Sequence, residues 1–362
     1  MSMLSFTEQT KIPRAVKIWL TAGLVMIFLQ IIIGGVTRLT GSGLSITRWE
    51  IVTGSVPPLT DADWQEAFDL YKATPQYAKI NEGMSMEAFK FIYFWEYFHR
   101  VWARLMFFVF IIPFGWFLWR GMFSKRMVPQ LLTVMFLAGL EGFFGWIMVA
   151  SGLIKRPWVN AYNLTLHLCM ALIIFGYLLW ITFSAYQPTV RVFHNRVLKQ
   201  FSLALLGVAF IQIALGALMS GTKAGLFIPT WPDMHGAYMP QLLWDSNHWT
   251  MDSFVHYDSN PFMPTLIQFL HRNVAYVLTI MCLYFYFKTN KLSLSAIFLK
   301  ANRLLLGMLA LQVVLGVLTL VNCKSTIPVV LGVLHQAGAV LLFGTIVFVV
   351  YQTFAGRTVT EG

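Results

Sequence analysis

Four histidines lie within apolar stretches of this 362-residue chain. Ionisable side chains are rare in such stretches, because an unpaired polar group in apolar surroundings is costly. Imidazoles that face one another between helices are common axial ligands of haem iron. The type and number of these residues therefore favour haem binding, and the positions are His99, His167, His271 and His335.

Other interpretations of these histidines stay open on this evidence. A single histidine in an apolar helix is more often a hydrogen-bonded packing residue than a ligand, although four such histidines weaken that explanation. Zinc is disfavoured, since no carboxylate or cysteine completes a tetrahedral set. A proton relay needs the same residue type but does not require matched depths. The three cysteines, Cys169, Cys282 and Cys323, have no paired spacing, which argues against disulfides or a thiolate metal site.

The composition indicates what kind of fold must position these histidines. Hydrophobic residues make up 57% of the chain and charged residues 11%, against roughly 25% charged residues in a typical soluble protein. These values exclude a soluble domain, a disordered chain and a coiled coil. A membrane-spanning helix needs about 20 mostly apolar residues. Eight stretches meet that requirement: 16–36, 90–118, 128–150, 160–183, 198–219, 264–287, 303–321 and 329–351.

The charges predict how these spans are oriented. The chain has 26 Lys and Arg residues against 15 Asp and Glu, and the basic ones concentrate near the termini and in the short loops. The acidic residues lie mostly in the long loops 37–89 and 220–263. The positive-inside rule therefore places both termini in the cytoplasm and the long loops outside. The N-terminus lacks a signal-cleavage site, so we expect a bacterial inner-membrane protein that binds no nucleic acid.

An internal repeat organises the spans. Tyr97-Phe-His99-Arg100 is matched by Phe269-Leu-His271-Arg272, and His167 by His335. Gln30…Gly34 is matched by Gln212…Gly216, and Glu141…Gly145 by Gln312…Gly316. Four spans in each half make the repeats parallel, and short connections favour antiparallel neighbours. We therefore predict an all-α polytopic membrane protein of two tandem four-helix bundles, with residues 1–190 in the first and 191–362 in the second.

The repeat also predicts that the histidines share one layer of the membrane. The even-numbered spans all run from outside to inside, and each has its histidine about seven to ten residues below its outer end. At a rise of 1.5 Å per residue this depth is roughly 10–15 Å. Each half therefore contains a pair of histidines at a similar depth, as one haem site per bundle requires.

One carboxylate breaks the symmetry between the halves. Glu96 lies three residues before His99 and hence on the same helix face, whereas Gln268 has that spacing in the second half. A buried glutamate suits proton transfer, but it can instead pair with a neighbouring arginine. Arg100 and Arg272 follow their histidines and can bind either haem propionates or backbone carbonyls. That choice is not settled by the sequence, nor is the role of Glu141.

The glycine-rich segments that open the two long outer loops have a similar ambiguity. Residues 34–45 and 216–226 are not phosphate loops, because they follow a helix and contain no P-loop motif. Close helix packing and tight turns explain them most simply. The alternative is a cap over a cofactor edge, with Arg38 or Lys223 near its propionates.

Taken together, these motifs resemble the heme A synthase family over almost the whole chain. The resemblance rests on GGVTRLTGSGLS at 34–45, Pro57-Pro58, Glu96-Tyr-Phe-His99-Arg100, TWPDMHG at 230–236, Phe269-Leu-His271-Arg272 and Leu334-His335-Gln336. The outer loops lack the cysteine pairs of one branch of the family, as in its proteobacterial and mitochondrial branch.

The resemblance implies a function for each half. The family oxidises the C8 methyl group of heme O to a formyl group, which gives heme A for terminal oxidases. A permanent haem b is matched here to His271 and His335, and the iron of the substrate heme O to His99 and His167. Glu96 is matched to the acid/base position, so the implied catalytic residues are Glu96, His99 and His167. The implied partners are heme O synthase, cytochrome oxidase assembly factors and the lipid bilayer, with a homo-oligomer left open.

Two rival functions fit part of the same pattern. A di-haem cytochrome b that only passes electrons explains four histidines equally well, but not the difference between Glu96 and Gln268. A proton-coupled transporter could use the same ionisable residues. Extraction of the bound pigment separates the three, because the synthase yields heme A, the cytochrome only haem B, and the transporter no haem.

Overall fold

The computed structural model describes residues 12–48, 56–154, 156–187, 196–292 and 294–354, and the regular secondary structure in these ranges consists of helices and one isolated β-bridge. In this described part of the chain, eight helices are long and apolar enough to cross a membrane, which confirms the predicted spans. They are α1 (Arg14–Leu39), α3 (Met86–Trp119), α4 (Met127–Ile154), α5 (Ala161–Tyr186), α6 (Arg196–Gly221), α8 (Phe262–Thr289), α9 (Ala296–Val321) and α10 (Val329–Phe354). Two short helices, α2 (Asp61–Lys72) and α7 (Met251–Val255), lie in the long loops.

Local capping explains where several spans begin. Ser85 accepts a hydrogen bond from the backbone N–H of Ala88 at the start of α3, and Ser295 does the same for Phe298 at the start of α9. Such side chains satisfy backbone donors that the first helical turn leaves unpaired. The Ser85 cap lengthens α3, so that His99 lies 13 residues beyond its start instead of the expected seven to ten.

The extension of α3 is stabilised by a small helical cap that the sequence predicted only as a loop. A capping box between Thr60 and Asp63 starts α2. Two side chains of α2, Phe68 and Tyr71, stack against Phe89 of α3 at ring distances of 4.8 and 5.3 Å. This separate aromatic cluster anchors the first long loop over the end of α3.

Four helices form the centre of the molecule and four lie outside them. α1, α5, α6 and α10 pack against one another, and their apolar side chains supply much of the main core. α3 packs on α1, α4 on α5, α8 on α6 and α9 on α10. His167 and His335 lie on central helices, whereas His99 and His271 lie on outer ones. Each predicted pair therefore joins a central helix to an outer helix.

Candidate haem-binding sites

All four histidines line a single cavity of about 1840 Å³ between the helices. Pockets for one drug-sized ligand usually measure roughly 300–1,000 Å³. The cavity wall is mostly apolar and includes residues from both halves of the chain. The structure thus brings the predicted site residues together and leaves room for more than one large apolar ligand.

His271 and His335 have the separation that two ligands of one iron require. Their ring centroids lie 6.5 Å apart, with the ring planes at 80°. A metal-bound imidazole nitrogen lies about 2 Å from the metal, so two imidazoles on opposite sides of one ion have centroids roughly 6 Å apart. The residues present therefore fit a bis-histidine haem.

Each histidine has a polar partner on a neighbouring helix. Gln30 Nε2 lies 2.9 Å from His99 Nε2, and Gln312 Nε2 lies 3.0 Å from His335 Nδ1. Gln212 Nε2 lies 3.1 Å from His271 Nδ1. The fourth partner differs, because Glu141 Oε1 lies 3.1 Å from His167 Nδ1. All four partners fix the orientation of a ring, and the Glu141 carboxylate can in addition accept the imidazole N–H and raise the basicity of His167.

A glycine four residues after each partner makes room for the ring. A Cβ atom on Gly316 would lie 2.9 Å from His335 Cε1, and one on Gly145 would lie 3.0 Å from His167 Cε1. The corresponding distances at Gly34 and Gly216 are 3.2 and 3.3 Å to the rings of His99 and His271. Spacing of four residues places partner and glycine on one helix face. These Gln/Glu…Gly pairs are visible in the sequence as a repeat without an evident role, and their spacing, aligned with the histidines, is the signal that could have identified it.

Glu96 is 3% exposed and fully hydrogen-bonded. Its Oε2 accepts from Ser45 Oγ at 2.7 Å and from the backbone N–H of Ile46 at 2.8 Å. Its Oε1 lies 2.6 Å from Arg100 Nη2 in an ion pair. The pairing with a neighbouring arginine, which the sequence left as an alternative, is present. Glu96 still lines the cavity, so its proton-transfer role stays a prediction.

Glu96 and Arg100 together tie an outer loop to α3. Arg100 also donates to the carbonyl oxygens of Ile46 and Arg48, at 3.2 and 3.3 Å. Ser45 was not singled out in the sequence, because its contact with Glu96 spans 51 positions. The ion pair therefore fixes the start of the first long loop at the cavity wall.

In the second half the outer loop is also held to a helix by hydrogen bonds, but the side chain at the position of Glu96 donates instead of accepting. Gln268 Nε2 donates to the carbonyl oxygen of Ile228 at 2.6 Å. Arg272 donates to the carbonyl oxygens of Thr230 and Asp233. Gln268 acts as a donor where Glu96 acts as an acceptor, so the two are not interchangeable. Both arginines bind backbone carbonyls, which was one of the two expected roles.

Arg38 and Lys223 line the rim of the same cavity. Arg38 Nη2 donates to the carbonyl oxygen of Ser220 at 2.7 Å, which connects α1 to the end of α6. Lys223 Nζ lies 3.9 Å from the ring centre of Trp158. Burial lowers the pKa of Lys223, and the positive charge of Arg38 lowers it further. Two cations at the rim would favour an anionic group there.

The fold and the site define a class of protein: a multi-pass helical membrane protein whose histidine pairs line one apolar cavity. The family model of COX15-CtaA, described as cytochrome oxidase assembly protein, matches residues 17–347. This chain belongs to that family, and the resemblance noted from its motifs is confirmed.

Curated relatives cover nearly the whole chain. The Heme A synthase of Nitrosospira multiformis is 38% identical over 348 residues, which is 95% of both chains. That of Bradyrhizobium diazoefficiens is 39% identical over 361 residues, covering 99% of this chain and 97% of the relative. That of Rhodopseudomonas palustris is 40% identical and covers 91% and 86%. With eight apolar helices and bacterial relatives, the chain is a multi-pass protein of the bacterial inner membrane.

Proposed function

We propose that this protein oxidises the C8 methyl group of heme O to a formyl group and so produces heme A for terminal oxidases. The observation that carries the proposal is that two histidine pairs line one cavity, in a chain whose relatives over nearly its whole length are heme A synthases. A single resident cofactor would need only one such pair, so the second pair suits a haem substrate.

The two pairs take different roles in this proposal. His271 and His335, in residues 191–362, hold a resident haem b, which the 6.5 Å separation of their rings supports. His99 and His167, in residues 1–190, hold the iron of heme O. The two units are related by a parallel repeat, supported by the matching Gln/Glu–His–Gly arrangement in each. A haem b held by His271 and His335 would supply one-electron transfer.

The residues of the first unit position the substrate and move its protons. With water as the oxygen source, oxidation of the methyl carbon to formyl takes up one oxygen and releases four protons and four electrons. His99 and His167 fix the macrocycle, and Gln30 and Glu141 orient their rings. Glu96 accepts protons from the oxidised carbon, held in place by Arg100, Ser45 and Ile46. The four electrons pass one at a time to an acceptor, and a haem b held by His271 and His335 would supply that one-electron chemistry.

The test is co-expression with a heme O synthase, which supplies the substrate, followed by chromatography of the extracted haems. Cells that contain the protein should accumulate heme A, and cells with an empty vector should accumulate only heme O. Haem B alone bound to the protein, with no heme A, would support the electron-transferring cytochrome instead. The expected protein partners are heme O synthase and cytochrome oxidase assembly factors.

We also propose that both termini face the cytoplasm, supported by the basic residues at the termini and short loops. A fluorescent protein fused to the C-terminus should fluoresce, and alkaline phosphatase fused there should be inactive. Active phosphatase would reverse the orientation. The long loops with α2 and α7 then lie on the outer side, and so do the rims of both histidine sites.

A further inference from the structure

The middle of α3 contacts α1 on one side but is only partly covered by the rest of the protein. None of the residues 97–113, all of which the structure describes, is buried, although Glu96 and Phe114 on either side are. Its counterpart α8 is buried along its length, for example at Arg272, Leu278 and Phe285. The two helices occupy matching places in the repeat, so the difference belongs to the first half alone.

α3 and α4 are joined at one end and separate beyond it. Near their connecting loop, Phe114 and Phe117 of α3 and Leu131 and Val134 of α4 belong to the main core. Farther along, α3 and α4 are not among the helix pairs that pack on each other, whereas α8 packs on α9. The most apolar 18-residue stretch is only 6% buried in α3, against 33% in its counterpart α8. A gap therefore opens between α3 and α4 towards the lipid.

The large cavity reaches this gap. Its wall includes six consecutive residues of α3, 106–111, of which Phe107 and Phe108 are more than half exposed on the lipid-facing surface. On α4 the wall includes Gly139 and Gly142, and a Cβ atom on either would meet nothing within 4 Å. Gln312 of α9 is the counterpart of Glu141 of α4 in the repeat. At the positions that match Gly139 and Gly142, α9 has Ala310 and Val313. The first half thus has open space where the second has side chains.

We infer that the gap between α3 and α4 is a lateral portal through which heme O passes from the bilayer into the site of His99 and His167. This inference rests on the function proposed above. Heme O is an apolar macrocycle with a long isoprenoid chain, so it partitions into lipid and gains nothing from an aqueous route. In the second half α8 packs on α9, which fits a site whose resident haem does not exchange with the bilayer.

The portal can be blocked by chemical modification of the folded protein. The test therefore does not depend on a bulky substitution that would have to be accommodated during folding. Gly142→Cys protein is purified, modified with N-(1-pyrenyl)maleimide and placed in lipid nanodiscs. Gly307→Cys, treated identically, is the matched control, because Gly307 lies on α9 in open space and does not line the cavity. Modified wild-type protein controls for Cys169, Cys282 and Cys323, of which the last two are buried.

The measurement is the rate at which each protein takes up heme O from phosphatidylcholine vesicles, followed by absorbance and by haem per protein. Modified Gly142→Cys should take up heme O about tenfold more slowly or worse, as expected when an access gate is obstructed. Both controls should keep the unmodified rate, and all three should retain haem b. Unchanged uptake by modified Gly142→Cys would overturn the portal alone. If unmodified wild type took up no heme O, the proposed function and the portal would both fail.

Discussion

Glu141 Oε1 lies 3.1 Å from His167 Nδ1, so His167 has a carboxylate partner. The other three cavity histidines have the side-chain amides of Gln30, Gln212 and Gln312 instead. A carboxylate accepts the N–H proton of an imidazole, which makes the ring a better donor to a metal, whereas an amide N–H donates to the ring and has no such effect. The first half therefore differs from the second at two carboxylates, Glu96 and Glu141.

Exchanging the two kinds of partner should shift iron potentials in opposite directions. Glu141→Gln should raise the midpoint potential of heme O bound by His99 and His167, because a weaker donor stabilises ferric iron less. Gln312→Glu should lower the potential of the haem b bound by His335. Redox titration followed by absorbance measures both. Potentials that stay at their wild-type values in both variants would mean that these partners orient the rings without tuning the iron.

The two histidine pairs should respond differently to alanine. His271→Ala and His335→Ala should lose haem b, because each removes one of two axial ligands whose rings lie 6.5 Å apart. His99→Ala and His167→Ala should retain most haem b but make no heme A. Haem content per protein and the ratio of extracted heme A to heme O check these outcomes. Loss of haem b only in the His99 and His167 variants would exchange the roles of the two halves.

Glu96→Gln should leave heme O unconverted. Glutamine cannot take up a proton as the carboxylate does, and the loss of a general acid/base typically slows its step by about 10²–10⁴-fold. The haem b content should barely change, since the second half does not depend on Glu96. The measurement is the ratio of heme A to heme O at equal protein level.

A loop-holding role for Glu96 has its own control. Ser45→Ala removes one hydrogen bond to Glu96 Oε2 but leaves the carboxylate and its pair with Arg100 in place. If proton transfer is what matters, Ser45→Ala should keep most of its heme A production. Equal losses in Ser45→Ala and Glu96→Gln would show that Glu96 only holds the loop.

Gly316→Ala should weaken haem b binding although alanine favours a helix. The added Cβ would lie 2.9 Å from His335 Cε1, so the ring must move away from its position. Gly307→Ala on the same helix meets nothing within 4 Å and is the control. It should gain roughly 0.5–1 kcal/mol in helix stability. We expect a lower haem b content in Gly316→Ala alone; equal contents in the two variants would contradict this role for Gly316.

Hydrophobic length and residue type are local properties of the sequence. The features that depend on them alone could be predicted without the tertiary structure. Eight apolar stretches were long enough to span a membrane, and eight spanning helices are present in the described residues. The repeated motifs located His99, His167, His271 and His335 without knowledge of any contact. They also identified the family, because its motifs are short continuous segments such as Glu96-Tyr-Phe-His99-Arg100.

Other properties depended on how distant segments pack, and only the tertiary structure decided them. Ser45 and Ile46, which donate hydrogen bonds to Glu96, lie in a loop 51 and 50 positions away, and Glu141 meets His167 because of the rotation at which α4 packs on α5. The separation of α3 from α4 was not predicted from the sequence, since both helices are largely apolar and match the lipid as well as they match each other. Helix rotation and separation follow from the packing of many side chains together, and no pattern along one helix encodes them.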